Sequence, residues 1–448
     1  EAMAREATRA VISGGILALC ECARNAVGDL QELARLPAAL EVILQCTARE
    51  IAAGSSDLRN CMKALGDVVV TLAPHAPPGR VREVDQGVEV LLNRLSSMPL
   101  LMGGSSDADT DESAEAGADS SITEAAEAIG RIALAANEWR EALHRTGALD
   151  SFRRLIRSGR VPRRIQKYLF WAVGAIGGLP FVAEEMRLLM NETSVVDAGL
   201  CTIIDILDDD IAGEYALVGV QLGADSDLPM ILGLVVETMR THAGAPEVQC
   251  RASHCVGLLA PLTPGAALQV HAPTAVSVVL VAARRFSKRY DVVYGACTAL
   301  RALCDLPRLA RPAAASVGAM DGPAAEALVA TMRQEGTEEC LAQIIRDFTD
   351  VSTATFLLED AAAALALLRG PEALLQRLAE TDHSSPFCVA GLKALFEIGR
   401  QDPAILGGPV GLVAAEVCEQ LVAQEPDSSR LYEVAALLSG LCQGMGVH

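Results

Sequence analysis

The chain has 448 residues, of which 51% are apolar but only 3% aromatic, and its formal net charge is −20. An acidic surface of this strength repels phosphate backbones, so the composition argues against nucleic-acid binding. Ala and Leu, which favour helices, supply much of the apolar fraction, and no alternating run typical of a strand stands out, so an all-α fold is predicted.

The first third of the chain contains an acidic insertion between predicted helices. Residues 103–121 consist mainly of Gly, Ser, Ala and acidic residues, and no Lys or Arg occurs between Arg94 and Arg131. Such a composition cannot bury enough apolar surface to order itself, so a disordered acidic insertion is predicted, within a third repeating unit that starts near Val84. Ser106, three residues before Asp109, is a candidate phosphorylation site for an acid-directed kinase. A solvated insertion without function is the alternative, because surface loops tolerate added length.

The acidic residues of this insertion do not complete a metal site. Asp107, Asp109 and Asp111 copy the first ligands of a calcium loop, but that loop also needs Gly at its sixth position and Glu at its twelfth. Glu112 and Ala118 stand at those two positions. The seven histidines form neither a zinc-protease motif nor a zinc spacing with cysteines, so no metal and no cofactor is predicted.

Three successive helices are predicted between Asn137 and Gly178. Apolar residues recur in each at the helical period, and Gly147, Gly159 and Pro162 stand where helices should end. The three apolar stripes are Trp139, Ala142 and Leu143; Leu149, Phe152, Leu155 and Ile156; and Ile165, Leu169, Val173 and Ile176. Helices this short cannot bury their apolar faces alone, so the unit is expected to stack on copies of itself.

Copies of the third helix recur along the chain. Each has a small residue, then an aliphatic residue, and often a glycine. They are Ala64-Leu65-Gly66, Ala128-Ile129-Gly130, Ala172-Val173-Gly174, Cys255-Val256-Gly257, Ala299-Leu300-Arg301, Ala394-Leu395-Phe396 and Ala436-Leu437-Leu438. Weaker copies are expected near Ala216-Leu217-Val218 and Ile344-Ile345-Arg346. After residue 178, repeats are predicted at about 180–222, 227–262, 264–306, 307–350, 351–400 and 402–443, a period typical of helical arrays.

The segment from Thr146 to Val173 resembles an armadillo repeat, and the whole chain resembles armadillo and HEAT arrays in its pattern. The resemblance implies one right-handed α-solenoid over residues 1–448, with about ten repeats. Armadillo proteins that carry nuclear-import cargo have Trp on the third helix and Asn four residues later. Here Ala175 follows Trp171 at that distance, and Glu127 and Arg131 hold the two positions in the preceding repeat. The peptide-clamping ladder is therefore not expected.

A basic cluster is the most specific polar feature of this acidic chain. It comprises Arg153, Arg154, Arg157, Arg160, Arg163, Arg164 and Lys167, with no acid among them, and Trp171 follows. Arginine suits bidentate capture of carboxylate or phosphate, so these residues are candidates for binding an acidic or phosphorylated partner segment. The alternative is a solvated helix face. A smaller basic group lies at residues 284–289.

The cysteines indicate a reducing compartment. Most of the thirteen lie within apolar helical stripes, as do Cys20, Cys201, Cys255, Cys297 and Cys340, and their number is odd. No secretory signal is visible at the start, and the longest uncharged apolar run, residues 168–183, is too short to span a membrane. A cytoplasmic protein without a transmembrane segment is predicted.

The function predicted from these features is a non-catalytic protein-interaction scaffold or adaptor. It would bind protein partners along the concave face of the solenoid, and it would belong to a larger assembly. The alternative is an armadillo-like regulator, such as a nucleotide-exchange factor or co-chaperone, of a GTPase or ATPase. No catalytic residue is predicted, because the sequence contains no motif for a nucleophile elbow or a phosphate loop.

Overall fold

The computed structural model describes a series of residue ranges and contains no strand within them. They are residues 43–45, 47, 58–73, 78–79, 82–96, 112–135, 137–158, 161, 163–208, 227–263, 265–309, 322–349, 351, 354–381, 385–406, 409–424 and 429–444. The chain divides into two compact units, residues 1–223 and 224–448. The all-α prediction is confirmed, and the prediction of one continuous array over 1–448 stays a prediction.

The first unit contains the helices α1 to α8. They are α1 (Leu58–Leu72), α2 (Arg82–Ser96), α3 (Glu112–Ala135), α4 (Asn137–Arg145), α5 (Ala148–Arg157), α6 (Arg163–Gly177), α7 (Leu179–Leu188) and α8 (Thr193–Leu207). Helices α1, α3, α6 and α8 pack side by side in one layer, and α2, α5 and α7 form the second layer behind them. Each helix contacts neighbours in the stack, as expected of a repeat array.

The second unit contains the helices α9 to α19. They are α9 (Asp227–Thr241), α10 (Pro246–Leu259), α11 (Gly265–Arg285), α12 (Tyr290–Leu309), α13 (Gly322–Gln334), α14 (Thr337–Phe348), α15 (Thr355–Arg369), α16 (Pro371–Glu380), α17 (Pro386–Gln401), α18 (Pro409–Gln424) and α19 (Ser429–Gly444). Helices α10, α12, α15, α17 and α19 form the first layer, and the second layer includes α9, α11, α13, α16 and α18.

The three-helix unit predicted at 137–178 is confirmed as α4, α5 and α6. Trp139, Phe152 and Val173 are buried, as are most other members of the three stripes, whereas Ala142 and Leu155 are half-buried. Gly147 separates α4 from α5 with a φ of 75°, a left-handed conformation that costs glycine little. The periodicity therefore located these helices correctly, because each stripe meets a neighbouring helix.

The recurring signature marks the places where layer helices approach closely. A methyl group at Gly66 on α1 would lie 2.6 Å from the Cβ of Ala128 on α3. A methyl group at Gly257 on α10 would lie 3.3 Å from the backbone nitrogen of Ala299 on α12. The small residues of the signature therefore allow the helices of one layer to pack backbone to backbone.

One of the predicted repeat boundaries, between residues 350 and 351, is wrong. Residues 344–346 lie on α14, outside the layer, and the layer position is filled by α15, which contacts both α12 and α17. The repeat therefore runs from α13 to α15, and 351–400 is not a single repeat. The misassignment arose because α15 carries an alanine run, Ala361 to Ala364, which lacks the small-aliphatic-glycine order. In the first unit α8 takes the layer position beside α6, and residues 216–218, where a weaker copy was predicted, lie outside the described residues.

The predicted disordered insertion is partly corrected. Residues 112–121 form the first turns of α3, which continues to Ala135, and residues 103–111, with Ser106, lie outside the described residues. The acidic segment is rich in Ala and Glu, which are good helix formers. Extending an existing helix costs less than starting one, so the packed part of α3 can propagate back into this segment.

The buried cysteines behave as apolar core residues. Cys255, Cys297 and Cys340 are buried as predicted, Cys201 is half-buried, and Cys20 lies outside the described residues. Burial raises the pKa of Cys304 to about 12 and raises the pKa of Cys297 well above its usual value. The thiolate is the reactive form, so these two side chains are chemically protected in the folded chain.

Alkylation should therefore distinguish two classes of cysteine. With iodoacetamide at pH 8 and native protein, we expect Cys201 and Cys250 to react at least about tenfold faster than Cys297 and Cys304. Only thiolates attack the reagent, and burial keeps Cys297 and Cys304 in the thiol form. Labelling is followed by peptide mass spectrometry, and denatured protein serves as the control in which all four react. Equal native rates would contradict the burial of the α12 thiols.

Candidate interaction surfaces

The basic cluster is divided by the fold. Arg153 and Arg157 on α5 point to α7, where both bind Glu185. The Arg153 Nε lies 2.5 Å from Glu185 Oε1, and Arg157 binds both carboxylate oxygens, through Nη2 at 2.6 Å and Nε at 2.7 Å. Arg153 also reaches Glu184 Oε1 at 2.6 Å. These two arginines therefore connect α5 to α7.

The centre of this ion cluster, Glu185 with Arg153, is withdrawn from solvent. The Glu185 side chain is 0% exposed and the Arg153 side chain 15% exposed, whereas Glu184 is 51% exposed. The Arg153 guanidinium also lies over the ring of Phe181, 5.5 Å from its centroid. Burial lowers the pKa of Arg153, but its bonds to Glu185 and Glu184 outweigh that effect and leave the pKa raised. Arg153 and Arg157 therefore stabilise the fold, and changing them would test folding as much as binding.

The other members of the cluster lie in different surroundings. Arg154 is exposed and donates to the Ser151 hydroxyl at 3.1 Å, and Lys167 on α6 is exposed. Arg163 and Arg164 begin α6, but their side chains, like the whole of Arg160, lie outside the described residues. The exposed cations that the structure describes in this cluster are thus Arg154, the partly exposed Arg157 and Lys167.

Trp171 lies on the layer surface and takes part in its packing. A methyl group at Gly130 on α3 would overlap the Trp171 ring, so the indole lies directly against α3. The side chain remains half-buried, with one part open to solvent. Trp171 is therefore both an interhelix contact and a surface residue.

A groove runs across the exposed side of the layer formed by α1, α3 and α6. Its volume is about 460 Å³, and every lining residue belongs to these three helices. The lining is strongly polar and includes Lys63, Asp67, Glu124, Glu127, Arg131 and Tyr168. Arg131 and Asp67 form a salt bridge of 3.2 Å across α3 and α1. The groove thus presents charges of both signs on a surface that consists of rigid helices.

The charged residues of the groove repeat at equivalent positions. Counting from the glycine of each signature, Lys63 and Asp67 on α1 match Glu127 and Arg131 on α3. In the sequence, Glu127 and Arg131 were noted only because they replace the Trp and Asn of nuclear-import armadillo proteins. The contact between Asp67 and Arg131 shows that these positions of neighbouring helices face each other.

The layer of the second unit contains a polar contact of its own. Asp360 on α15 accepts hydrogen bonds from the Thr298 hydroxyl and from Arg301 Nη1, both at 2.7 Å, and these donors lie on α12. Burial raises the pKa of the adjacent Glu359, and the positive charges of Lys393 and Arg301 offset only part of this increase. Sequence patterns missed this contact because the partners are about 60 residues apart.

The smaller basic group at 284–289 also takes part in packing. Arg284 Nη2 donates to the carbonyl oxygens of Glu335 and Gly336, at 2.6 and 3.1 Å, in the turn between α13 and α14. Arg289 pairs with Asp291 at 2.7 Å. Arg285 and Lys288 remain exposed.

Among the helices that the structure describes, one has a length and composition that would allow it to cross a membrane. It is α11, with 21 residues and a mean hydropathy of 1.6 in its most apolar window, of which 44% is buried. Core helices can have the same composition, and α11 packs against α9, α12 and α13. The contacts of α11 fit a core helix. Over the described part of the chain, no cluster of three His, Cys, Asp or Glu side chains could hold a metal ion.

Comparison with known proteins adds little to this description. Neither a protein-family model nor a curated protein sequence matches the chain. Among solved structures, the chain is similar to one described as a circular tandem repeat protein with novel repeat topology and enhanced subunit contact surfaces. The two chains are 16% identical, with a TM-score of 0.34, over 97% of this chain and 96% of that chain. This likeness carries no argument about function, and the resemblance to armadillo or HEAT arrays stays a prediction.

Proposed function

We propose that this chain is a non-catalytic protein-interaction scaffold or adaptor of the armadillo or HEAT type, and a subunit of a larger assembly. The groove over α1, α3 and α6 is the observation that supports this most directly. Its charged side chains stand on packed helices, so little ordering is required when a partner segment binds. The buried thiols fit a reducing compartment such as the cytoplasm.

The partner of this groove would be a protein segment that carries both acidic and basic side chains. Lys63 would pair with an acid of the partner, and Glu127 with a base, while Tyr168 offers an amphipathic contact surface. Of the basic cluster, Arg154 and Lys167 are the exposed residues that we retain for an acidic or phosphorylated segment, with Trp171 as a neighbouring contact.

Affinity capture from the native source, followed by mass spectrometry, tests the groove. Wild-type protein is compared with Glu127→Lys and Tyr168→Ala, and Glu419→Lys on the exposed face of α18 serves as the matched control. We expect stoichiometric partners to be retained by the control and reduced at least about tenfold by either groove variant, because most binding energy comes from a few contacts. Partners equally retained by all three variants would remove the groove from the proposal.

The same capture distinguishes the basic residues and the scaffold itself. Arg154→Glu combined with Lys167→Glu should release partners that carry acidic or phosphorylated segments, and those partners should also be lost at high salt. If wild-type protein captures no stoichiometric partner at either salt concentration, the scaffold function is wrong. A nucleotide-release assay with GTPases and ATPases would then test the alternative.

A further inference from the structure

A second opening in the first unit lies among α2, α4 and α5, away from the groove. It is a cleft of about 470 Å³ between the helix α2 of one repeat and the helices α4 and α5 of the next. The residues that define it here are Asp85, Val88, Glu89, Leu92, Trp139 and Ala142. None of its lining residues belongs to α1, α3 or α6, so it shares no residue with the groove.

The floor of the cleft is apolar. Trp139 and Val88 are 3% and 6% exposed, and Leu92 and Ala142 are half-buried along the sides. The volume falls within the usual range of ligand pockets, roughly 300–1,000 Å³. The hydroxyl groups of Thr146 and Ser151, which also line the cleft, already donate to the carbonyl oxygens of Leu143 and Gly147. The floor is therefore suited to a large apolar side chain.

The rim of the cleft is acidic. Asp85 and Glu89 are the ionisable residues that the structure describes in the lining, and no described lysine or arginine stands among them. Both Asp85 oxygens accept from the Gly79 backbone nitrogen at 3.1 Å, which fixes this carboxylate at the edge. Glu89 is exposed and makes no salt bridge with another described residue. The rim therefore repels an anion and attracts a cation.

We propose that this cleft is a second binding site, which takes a peptide segment of a partner protein with one large apolar side chain next to a lysine or arginine. The apolar side chain would cover Trp139 and Val88, and the cation would pair with Glu89. An apolar anchor with a charged group beside it is how small interfaces obtain both affinity and orientation. The proposal does not rest on the function of the groove, because the two sites use different helices.

Phage-displayed random dodecapeptides are the probe, selected on the full chain at low salt. The peptides selected on wild-type protein should combine a large apolar residue with a nearby Lys or Arg. Their binding should fall at least about tenfold with Glu89→Lys, which cancels the negative charge of the rim, and with Ala142→Trp, which fills the cleft. Glu419→Lys on α18 is the control and should bind as the wild type does. A cooperative thermal unfolding transition is measured for each variant as the control that it is folded.

Three outcomes would overturn the proposal. They are a selection that yields no binder, selected peptides that lack basic residues, and peptides whose affinity changes with neither cleft variant. Peptides whose binding falls with Glu127→Lys but not with Glu89→Lys would support the groove of the proposed function and reject the cleft. Failure of one site is thus distinguishable from failure of the other.

Discussion

Replacing Glu185 by glutamine should destabilise the contact between α5 and α7 by about 3 kcal/mol. The carboxylate is 0% exposed and binds both Arg153 and Arg157. In Glu185→Gln the two guanidinium groups stay in place but lose the buried negative charge between them, and only the half-exposed Glu184 remains in contact with them. Removing one partner of a buried ion pair is costly because the remaining charge stays desolvated.

Hydrogen exchange of the amides in α5 and α7 is the measurement, because a repeat array need not unfold in one step. A loss of about 3 kcal/mol corresponds to roughly a hundredfold faster exchange through opening of these helices. Glu184→Gln is the matched control, since Glu184 is the preceding residue and also contacts Arg153 but is 51% exposed. Its effect should stay below about 1 kcal/mol. Equal effects of the two variants would show that the buried cluster is not the source of stability.

Gly295→Ala should destabilise the second unit by about 2 kcal/mol. A Cβ at Gly295 on α12 would lie 2.6 Å from the carbonyl oxygen of Cys250 on α10. The obstacle is backbone, so no side-chain rotation can relieve it, and the two helices would have to move apart. Overpacking of this kind commonly costs about 1–3 kcal/mol.

Gly440→Ala on α19 is the control for this prediction. A Cβ there meets no atom within 4 Å, and the residue is exposed. Alanine should therefore stabilise α19 by about 0.5–1 kcal/mol, because it is the better helix former. Urea unfolding of both variants gives the comparison. If Gly295→Ala left the free energy of unfolding unchanged, α10 and α12 would not approach as closely as the distance from Gly295 to Cys250 indicates.

Proline positions illustrate how local rules and tertiary context combine. Pro180, Pro229 and Pro371 each lie in the first turn of a helix, where a missing N–H costs nothing. Pro307 lies near the end of α12 instead. The helix continues two residues past it to Leu309.

The repeat order was harder to predict than the helices. The layer helices with a small-aliphatic-glycine signature were located from the sequence, because close packing requires small residues at fixed positions. Helix α15 lacks that order, yet it fills a layer position, since its alanines are also small enough to lie against α12 and α17. Composition permits this packing, but only the arrangement of the neighbours shows that it occurs.

By itself, the sequence determined the helical fold, the three-helix unit of α4 to α6 and the burial of several cysteines. These features depend on periodicity and on residue size, which are local properties of the chain. The tertiary structure alone decided which described members of the basic cluster are held in ion pairs. Arg153 and Glu185 are 32 residues apart, and no pattern in the sequence connects them. Packing of α5 against α7 brings them together, and it thereby separates the arginines that support the fold from those that remain exposed.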